Sequence, residues 1–332
     1  MRSILVGLSG AVAPGFAHGL MRQRRAMWIV MAAAAVSLCL VTVTVWALWL
    51  TVAIVVGSWI DAGLRHRRLK DTITWSWLDG LLAFTCMLAL SILVRVFVVE
   101  AFKIPSSAMS PTLEIGDHLF VNKLFGSPKP GDIIVFRQPC QPERDYIERV
   151  IAMGGDTIEV RCAIVYINGK PIPRDLVDGE TCRYEDYDRE TEWFWKDCSR
   201  YRETIGAHTF DIFHDQDRPK RETERKAGGE PPIDSKDFPY DELPRSCSNQ
   251  PDGQPTGSSD QLPGNIVVTD PDPRDPCAPH MHFVVPEDSL FVMGDSRSNS
   301  NDSRFWGVVP ASYVKGRVIG IWRPLSRFGS IR

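Results

Sequence analysis

The sequence lacks the marks of several common protein classes. It has no basic excess: 38 lysines and arginines stand against 41 aspartates and glutamates, for a net charge of −3. The electrostatic footprint of nucleic-acid binding is therefore missing. None of its 8 cysteines falls in a C-x-x-C pair, which removes the usual structural zinc sites. His208, His214, His280 and His282 follow no ligand spacing and read as surface histidines, so no metal site is expected. The opening stretch, MRSILVGLSGAVAPGFAHGLMRQRR, has no short apolar core followed by a small-residue cleavage site, and so does not read as a removable leader.

What is present is strongly segregated. The chain is 44% hydrophobic and 24% charged on average, yet residues 26–60 and 77–99 are long apolar runs while 178–282 is polar. The first run lies between Arg22, Arg24 and Arg25 on one side and Arg65, Arg67, Arg68 and Lys70 on the other. It is too long for one bilayer crossing of roughly 20 residues and slightly short for two. Basic flanks on both sides favour a hairpin with both ends in the cytoplasm, with one long tilted span as the alternative. The expected order is a cytoplasmic N-terminus over 1–25, the hairpin or long span over 26–60, a basic cytoplasmic loop over 61–76 and a transmembrane helix over 77–101. Arg95, near the outer end of that helix, reads as a snorkelling side chain.

Cys39 and Cys86 fall in apolar spans and read as inert small hydrophobes. The other six, Cys140, Cys162, Cys182, Cys198, Cys247 and Cys277, all follow the last span, which predicts up to three disulfides in an oxidising compartment, with the pairing left open. Short β-branched and aromatic runs such as HLFVNKLF, DIIVFR, DTIEVRCAIVYING, SLFVMGD and GRVIGIW predict an all-β domain. Asn168-Gly169 marks a two-residue hairpin turn. DRPKRETERKAGGEPPIDSKDFP and SNQPDGQPTGSSDQLPGN read as loops, and RYRETIGAHTFDIFHD as the ordered, strand-like part of the polar region.

The stretch FKIPSSAMSPTLEIGDHLFVNK, residues 102–123, follows the last apolar span and places Ser106, Ser107 and Ser110 between two prolines, a strand leading into a tight loop. IPSSAMSPTLEIGDHLFVNK resembles the nucleophile box of bacterial type I signal peptidases, membrane-anchored serine endopeptidases that remove signal peptides. GDIIVFR, DYIERVIAMGGDTIEV and GDSRSNSNDSRFWGVVP resemble the family's other boxes, in the same order. The resemblance implies N-terminal transmembrane helices and an all-β, antiparallel extracytoplasmic domain over 102–161 and 283–332, with an inserted polar region over 162–282. It implies no metal or other cofactor.

Two positions depart from the family pattern. Ala108 stands where the pattern has the nucleophilic serine, and Glu148 where it has the lysine general base. By the same resemblance Ser106 matches an oxyanion-hole serine, Ser300 the serine that orients the lysine, and Asp302 and Arg304 a supporting ion pair. Phe102, Ile104, Met109, Leu113, Tyr146 and Ile147 match positions that line pockets for an extended substrate, although each equally suits β-core packing.

Three functions fit this sequence. The first is an inactive family member in the bacterial inner membrane, with its C-terminal domain in the periplasm, that binds a signal peptide or other extended peptide. The second is a working peptidase using Ser106 or Ser107, assisted by Glu148. The third is a structural subunit that meets a membrane-protein partner through 178–282. In all three the lipid bilayer is a partner and nucleic acid is not.

Overall fold

The computed structural model describes residues 13–69, 72–188, 192–226, 236–240, 242, 247 and 264–331. Almost all of SNQPDGQPTGSSDQLPGN, and the loop read after Lys226 as far as residue 235, lie outside these residues. The chain divides into two compact units. Of the described residues, one unit combines those up to Phe102 with His118–Leu124 and Ile319–Ile331; the other holds those of Lys103–Asp117 and Phe125–Val318.

The first unit begins with α1 (Phe16–Leu20), α2 (Arg24–Leu40), α3 (Ala47–Arg68) and α4 (Trp77–Phe97). The apolar run over 26–60 thus forms two helices joined by a turn. The 22-residue α3 and 21-residue α4 are long and apolar enough to cross a membrane. At about 1.5 Å per residue the 17-residue α2 falls short of a hydrocarbon core of about 30 Å. Ser76 starts α4, its hydroxyl accepting from the Asp79 N–H at 3.3 Å. Met27, Met31 and Ala34 of α2 pack on Ala83 and Met87 of α4, small and flexible side chains that let helices approach closely.

This unit has two chemically distinct ends. At one, Arg24 pairs with Asp79 at 3.0 Å and Asp61 with both Arg65 at 2.7 Å and His18 at 2.8 Å. At the other, the turn between α2 and α3 meets β structure: the Thr42 carbonyl accepts from Asn122 Nδ2 at 3.2 Å, Thr44 Oγ1 lies 3.2 Å from Ser330 Oγ, and Trp46 sits edge-on to Phe328. Strands β1 (Val99–Lys103) and β2 (His118–Asn122) belong here, with β1 starting two residues after α4 ends.

The second unit is built of antiparallel sheets. Its strands are β3 (Ile133–Gln138), β4 (Gln141–Met153), β5 (Thr157–Arg161), β6 (Ile164–Ile167), β7 (Lys170–Pro171), β8 (Arg174–Asp178), β9 (Arg183–Asp188), β10 (Glu192–Ile205), β11 (His208–Asp215), β12 (Asn265–Val268), β13 (Met281–Val284), β14 (Ser289–Met293), β15 (Val309–Pro310) and the first half of β16 (Val314–Arg323). The helices α5 (Arg218–Lys226) and α6 (Ser303–Trp306) complete it. In the main sheet β16, β3, β4, β14 and β15 lie side by side. A second sheet runs β12-β13-β5-β6-β7, and β10 pairs with β11, β8 and β9 in a third region. Asn168 and Gly169 both take positive φ, 52° and 73°, in the expected β6–β7 turn.

One core ties early and late strands together: Ile151, Ile158, Tyr201, Phe210, Ile212, Phe238, Phe283 and Phe291 pack as a cluster. The strand-like polar stretch is β10 and β11, and its alternation turns Phe210, Ile212 and His214 inward. His214 is therefore buried rather than at the surface. Burial first, then the guanidinium groups of Arg174, Arg297, Arg218 and Arg304, push it well below the usual 6.5 and keep it neutral. The six late cysteines form three disulfides, Cys140–Cys247, Cys162–Cys277 and Cys182–Cys198. Two of them close loops of 107 and 115 residues, where loop closure stabilises by at most about 5 kcal/mol each.

Candidate functional site

The site lies in the second unit, where the loop after Lys103, strand β4 and the loop after β14 converge. The first of these is a closed excursion. Ile104 N–H donates to the Asp117 carbonyl and Gly116 N–H returns to the Ile104 carbonyl, both at 2.9 Å. Leu113 N–H caps it by donating to Met109 O at 2.9 Å. Ile104, Met109 and Leu113 are buried, so these three side chains anchor the loop in the core.

The three consecutive small residues then have different surroundings. Ser106 is exposed, Ser107 is buried and Ala108 is half-buried. Ser107 Oγ donates to Asp186 Oδ1 at 2.6 Å and accepts from Asn299 Nδ2 at 2.8 Å. Asn299 Nδ2 also donates to Asp186 Oδ2 at 2.8 Å, and Lys196 Nζ donates to Asn299 Oδ1 at 3.1 Å. A hairpin of β9 and β10 thus clasps Ser107. The Ala108 carbonyl accepts from Ser296 N–H at 2.9 Å, while its own N–H has no acceptor among the described residues.

Glu148 projects inward from β4 beside Arg149, between half-buried Tyr146 and Ile147 on one side and buried Val150 on the other. It is 2% exposed. Its Oε1 accepts from Ser300 Oγ at 3.3 Å, and its buried Oε2 has no hydrogen-bond partner among the described residues. Burial pushes this carboxyl well above the usual 4.5, and the charges of Asp302 and Asp295 push it the same way. Arg304 and the Ser300 hydroxyl act in opposition and do not prevail.

Around it stands a rigid ionic frame. Asp302 caps α6 and accepts from Arg304 Nε and an Arg304 terminal nitrogen, both at 2.8 Å, from Arg304 N–H at 3.2 Å and from Gly294 N–H at 3.1 Å. Burial raises its pKa, but these cationic and amide partners outweigh burial and hold the carboxyl below its usual range. Arg149 forks onto Asp295 at 2.8 and 2.6 Å, donates to the Gly131 carbonyl at 2.8 Å and lies 3.7 Å over the Phe210 ring. Gly294 has room for no side chain: a Cβ there would collide with Ser300 Oγ and the Ala108 carbonyl at once. Ala108, Ser300 and, through its hydrogen bond, Glu148 therefore form one contiguous cluster. Among the described residues no group of three His, Cys, Asp or Glu side chains is placed to hold a metal ion.

A family model for signal peptidase, peptidase S26, matches residues 76–323. The chain belongs to the S26 signal peptidase family. Signal peptidase I of Aquifex aeolicus is 34% identical over 239 residues, which cover 69% of this chain and 77% of that protein. Signal peptidase I of Pseudomonas aeruginosa is 25% identical over 266 residues, covering 72% and 70% respectively. A crystal structure of a signal peptidase I from Enterococcus faecalis aligns at 18% identity over 58% of this chain and 97% of that one, with a TM-score of 0.25, too low for detailed comparison.

The structure of this S26 chain brings Ala108, Glu148, Ser300, Asp302 and Arg304, the residues singled out through the family resemblance, into one cluster. It does not bring Ser107 to Glu148, since that hydroxyl is committed to Asp186 and Asn299. Sequence reasoning missed Asp186 and Lys196, which lie 79 and 89 positions beyond Ser107 in a polar stretch without a motif (186 − 107 and 196 − 107). Gly294 and Asp295 were inside the GDSRSNS motif and could have been found there: a glycine followed by an acid at a strand end marks close backbone approach and a partner for a buried base.

Proposed function

We propose that this S26 family member is catalytically silent and holds extended, signal-peptide-like segments without cutting them. The observation that carries the reading is the pairing of Ser300 with a buried carboxyl, Glu148, beside a residue without a hydroxyl, Ala108. The surroundings of Glu148 favour the protonated form, and a carboxyl that carries its proton cannot take one from a nucleophile. Ionised, it would still be a weak base and would set negative charge beside a developing oxyanion. Loss of nucleophile and base together removes about 10⁶-fold in rate in a serine protease. Ser107 is a poor replacement nucleophile, because its proton and a lone pair are already engaged.

The same reading places the β part in the periplasm and the helices in the bacterial inner membrane. In support, Arg22, Arg24 and Arg25 precede α2, and Arg65, Arg67 and Arg68 end α3, while the turn between these helices touches β residues at the opposite end of the unit. Three disulfides suit an oxidising compartment. A second reading, a subunit with a protein partner, is favoured by exposed Tyr187, Trp193 and Trp195 on the β9–β10 hairpin. Co-purification abolished by replacing both tryptophans with serine would support it.

The deciding experiment is cleavage of a standard pre-protein by the detergent-purified chain beside an Ala108→Ser, Glu148→Lys double variant. A silent native chain and a cutting double variant are expected. Cleavage by the native chain that disappears in Ser106→Ala or Ser107→Ala would overturn the reading.

A further inference from the structure

Resting on the reading that puts the helices in the inner membrane, we infer that the arginine-lined cavity at the start of α2 holds the phosphate of an anionic phospholipid. The cavity is open, measures about 460 Å³ and is lined by Arg22, Gln23, Arg24, Arg25, Ala26 and Arg65. That volume falls within the roughly 300–1,000 Å³ of ordinary ligand sites. All six residues precede residue 76, where the family model begins to match, so the family match gives this cavity no role.

Four guanidinium groups meet here against two carboxylates. Arg24 pairs with Asp79 at 3.0 Å and Arg65 with Asp61 at 2.7 Å. Both hydrogen bonds run from Nε, so the terminal nitrogens of the two forks keep their donors for another acceptor among the described residues. Arg22 and Arg25 are exposed and form no ion pair among the described residues. Four arginines less two acids leave a charge of +2 (4 − 2) around the cavity. A planar guanidinium offers paired N–H donors that match the oxygens of a phosphate, which suits this set to a phosphodiester. The helix adds to the same field. Gln23 gives α2 no side-chain cap and no acid falls in its first turn, so the positive end of a 17-residue helix opens on the cavity. The carbonyl end of α3 also comes here, and its last turn sets Arg65, His66, Arg67 and Arg68 against it.

A lipid fits better than a free anion because apolar surface begins directly beyond the arginines. Trp28 and Ile29 are exposed one turn after Arg24 and Arg25 on α2, and Leu64 is exposed beside Arg65 on α3. A phosphate at the arginines with its acyl chains along these side chains satisfies both surfaces, whereas inorganic phosphate leaves the apolar one bare. Trp75 and Trp77 stand exposed just before Asp79, the partner of Arg24, and indoles of this kind sit at headgroup level.

The test uses the full chain in dodecyl maltoside and phosphatidylglycerol carrying a fluorescent acyl chain, with labelled phosphatidylcholine as the neutral control. Saturable binding of phosphatidylglycerol, at least tenfold tighter than phosphatidylcholine, is expected. Arg22→Gln with Arg25→Gln should weaken it about thirtyfold, the effect of two arginines near a phosphate. Arg67→Gln with Arg68→Gln removes the same charge at the same end but outside the cavity, and should stay within about threefold of the native chain. Neither pair is engaged in an ion pair among the described residues, and equal thermal unfolding midpoints in neutral detergent verify that both variants fold. Equal weakening by the two double variants, or no preference for phosphatidylglycerol, overturns the inference. Displacement of the lipid by 1 mM inorganic phosphate also overturns it, since the site would then take free phosphate. Flotation with pure phosphatidylcholine vesicles separates this inference from its premise: a chain that floats without preferring phosphatidylglycerol fails the inference alone, and one that does not float fails the membrane reading.

Discussion

Asp302 and Glu148 are carboxyls buried in the same cluster, and they have been treated oppositely. Asp302 receives hydrogen bonds from Arg304 and Gly294 to both oxygens and is held below the usual carboxylate range. Among the described residues Glu148 receives one long bond and keeps an unmatched oxygen, and its pKa is pushed well above 4.5. Burial is nearly equal, so burial does not decide charge. The number and sign of the partners do: a guanidinium fork and aligned N–H groups compensate desolvation, whereas a single hydroxyl does not. A well-paired ionic frame thus surrounds a carboxyl that has almost no partners of its own.

The largest effect that would break the comparison is at the frame. Asp302→Ala leaves the buried Arg304 uncompensated and α6 without its cap, and is expected to cost about 3–5 kcal/mol in denaturant unfolding of the detergent-solubilised chain. A cost below about 1 kcal/mol would mean that Asp302 is no more supported than Glu148.

The pH response distinguishes the two carboxyls by sign. Asp302, with its folded pKa depressed, contributes stability that is present above the usual 3.8 and lost as pH falls through the folded value. Glu148, with its folded pKa raised, binds a proton in the native state that the unfolded chain has released. It therefore subtracts stability as pH rises from 4.5 towards its folded value, by up to about 1.4 kcal/mol per pH unit. Glu148→Gln should flatten that neutral-side slope and leave the acid side unchanged; an unchanged slope on the neutral side counts against a protonated Glu148.

Smaller effects sharpen the contrast. Ser107→Ala removes the hydroxyl that joins Asp186 and Asn299 and should cost about 1–2 kcal/mol, with no gain or loss of peptide cleavage. If cleavage by the native chain were found and Ser107→Ala abolished it, Ser107 would be a nucleophile after all. Below pH 4.5, where Glu148 is neutral in both folded and unfolded chains, Glu148→Gln should change stability by about 0.5 kcal/mol or less.

The apolar runs, the late cysteines and the β-rich runs were all legible along the chain because each rests on local composition or period: helices α2, α3 and α4, the three disulfides and the antiparallel strands followed. Within the site, Ala108, Glu148, Ser300, Asp302 and Arg304 were marked by the resemblance of their motifs to the family pattern. His214 was misread because a histidine among charged neighbours looks exposed, while strand alternation put it on the inward face with Phe210 and Ile212. Asp186 and Lys196 were silent because their contacts span most of the domain and no period records them.

By itself, then, the amino-acid sequence pointed to the family of this chain and, through that resemblance alone, to replacements at Ala108 and Glu148, where the missing hydroxyl and the missing amine are facts of covalent structure. Only the tertiary structure decided what the replacement became. Whether a carboxyl is an anion or an acid depends on which charges and donors lie within a few ångströms of it. Here Asp295 and Asp302 come from a loop about 150 residues away in sequence from β4; after burial, their charges push the Glu148 carboxyl above its usual value, while Arg304 and Ser300 from the same loop pull the other way.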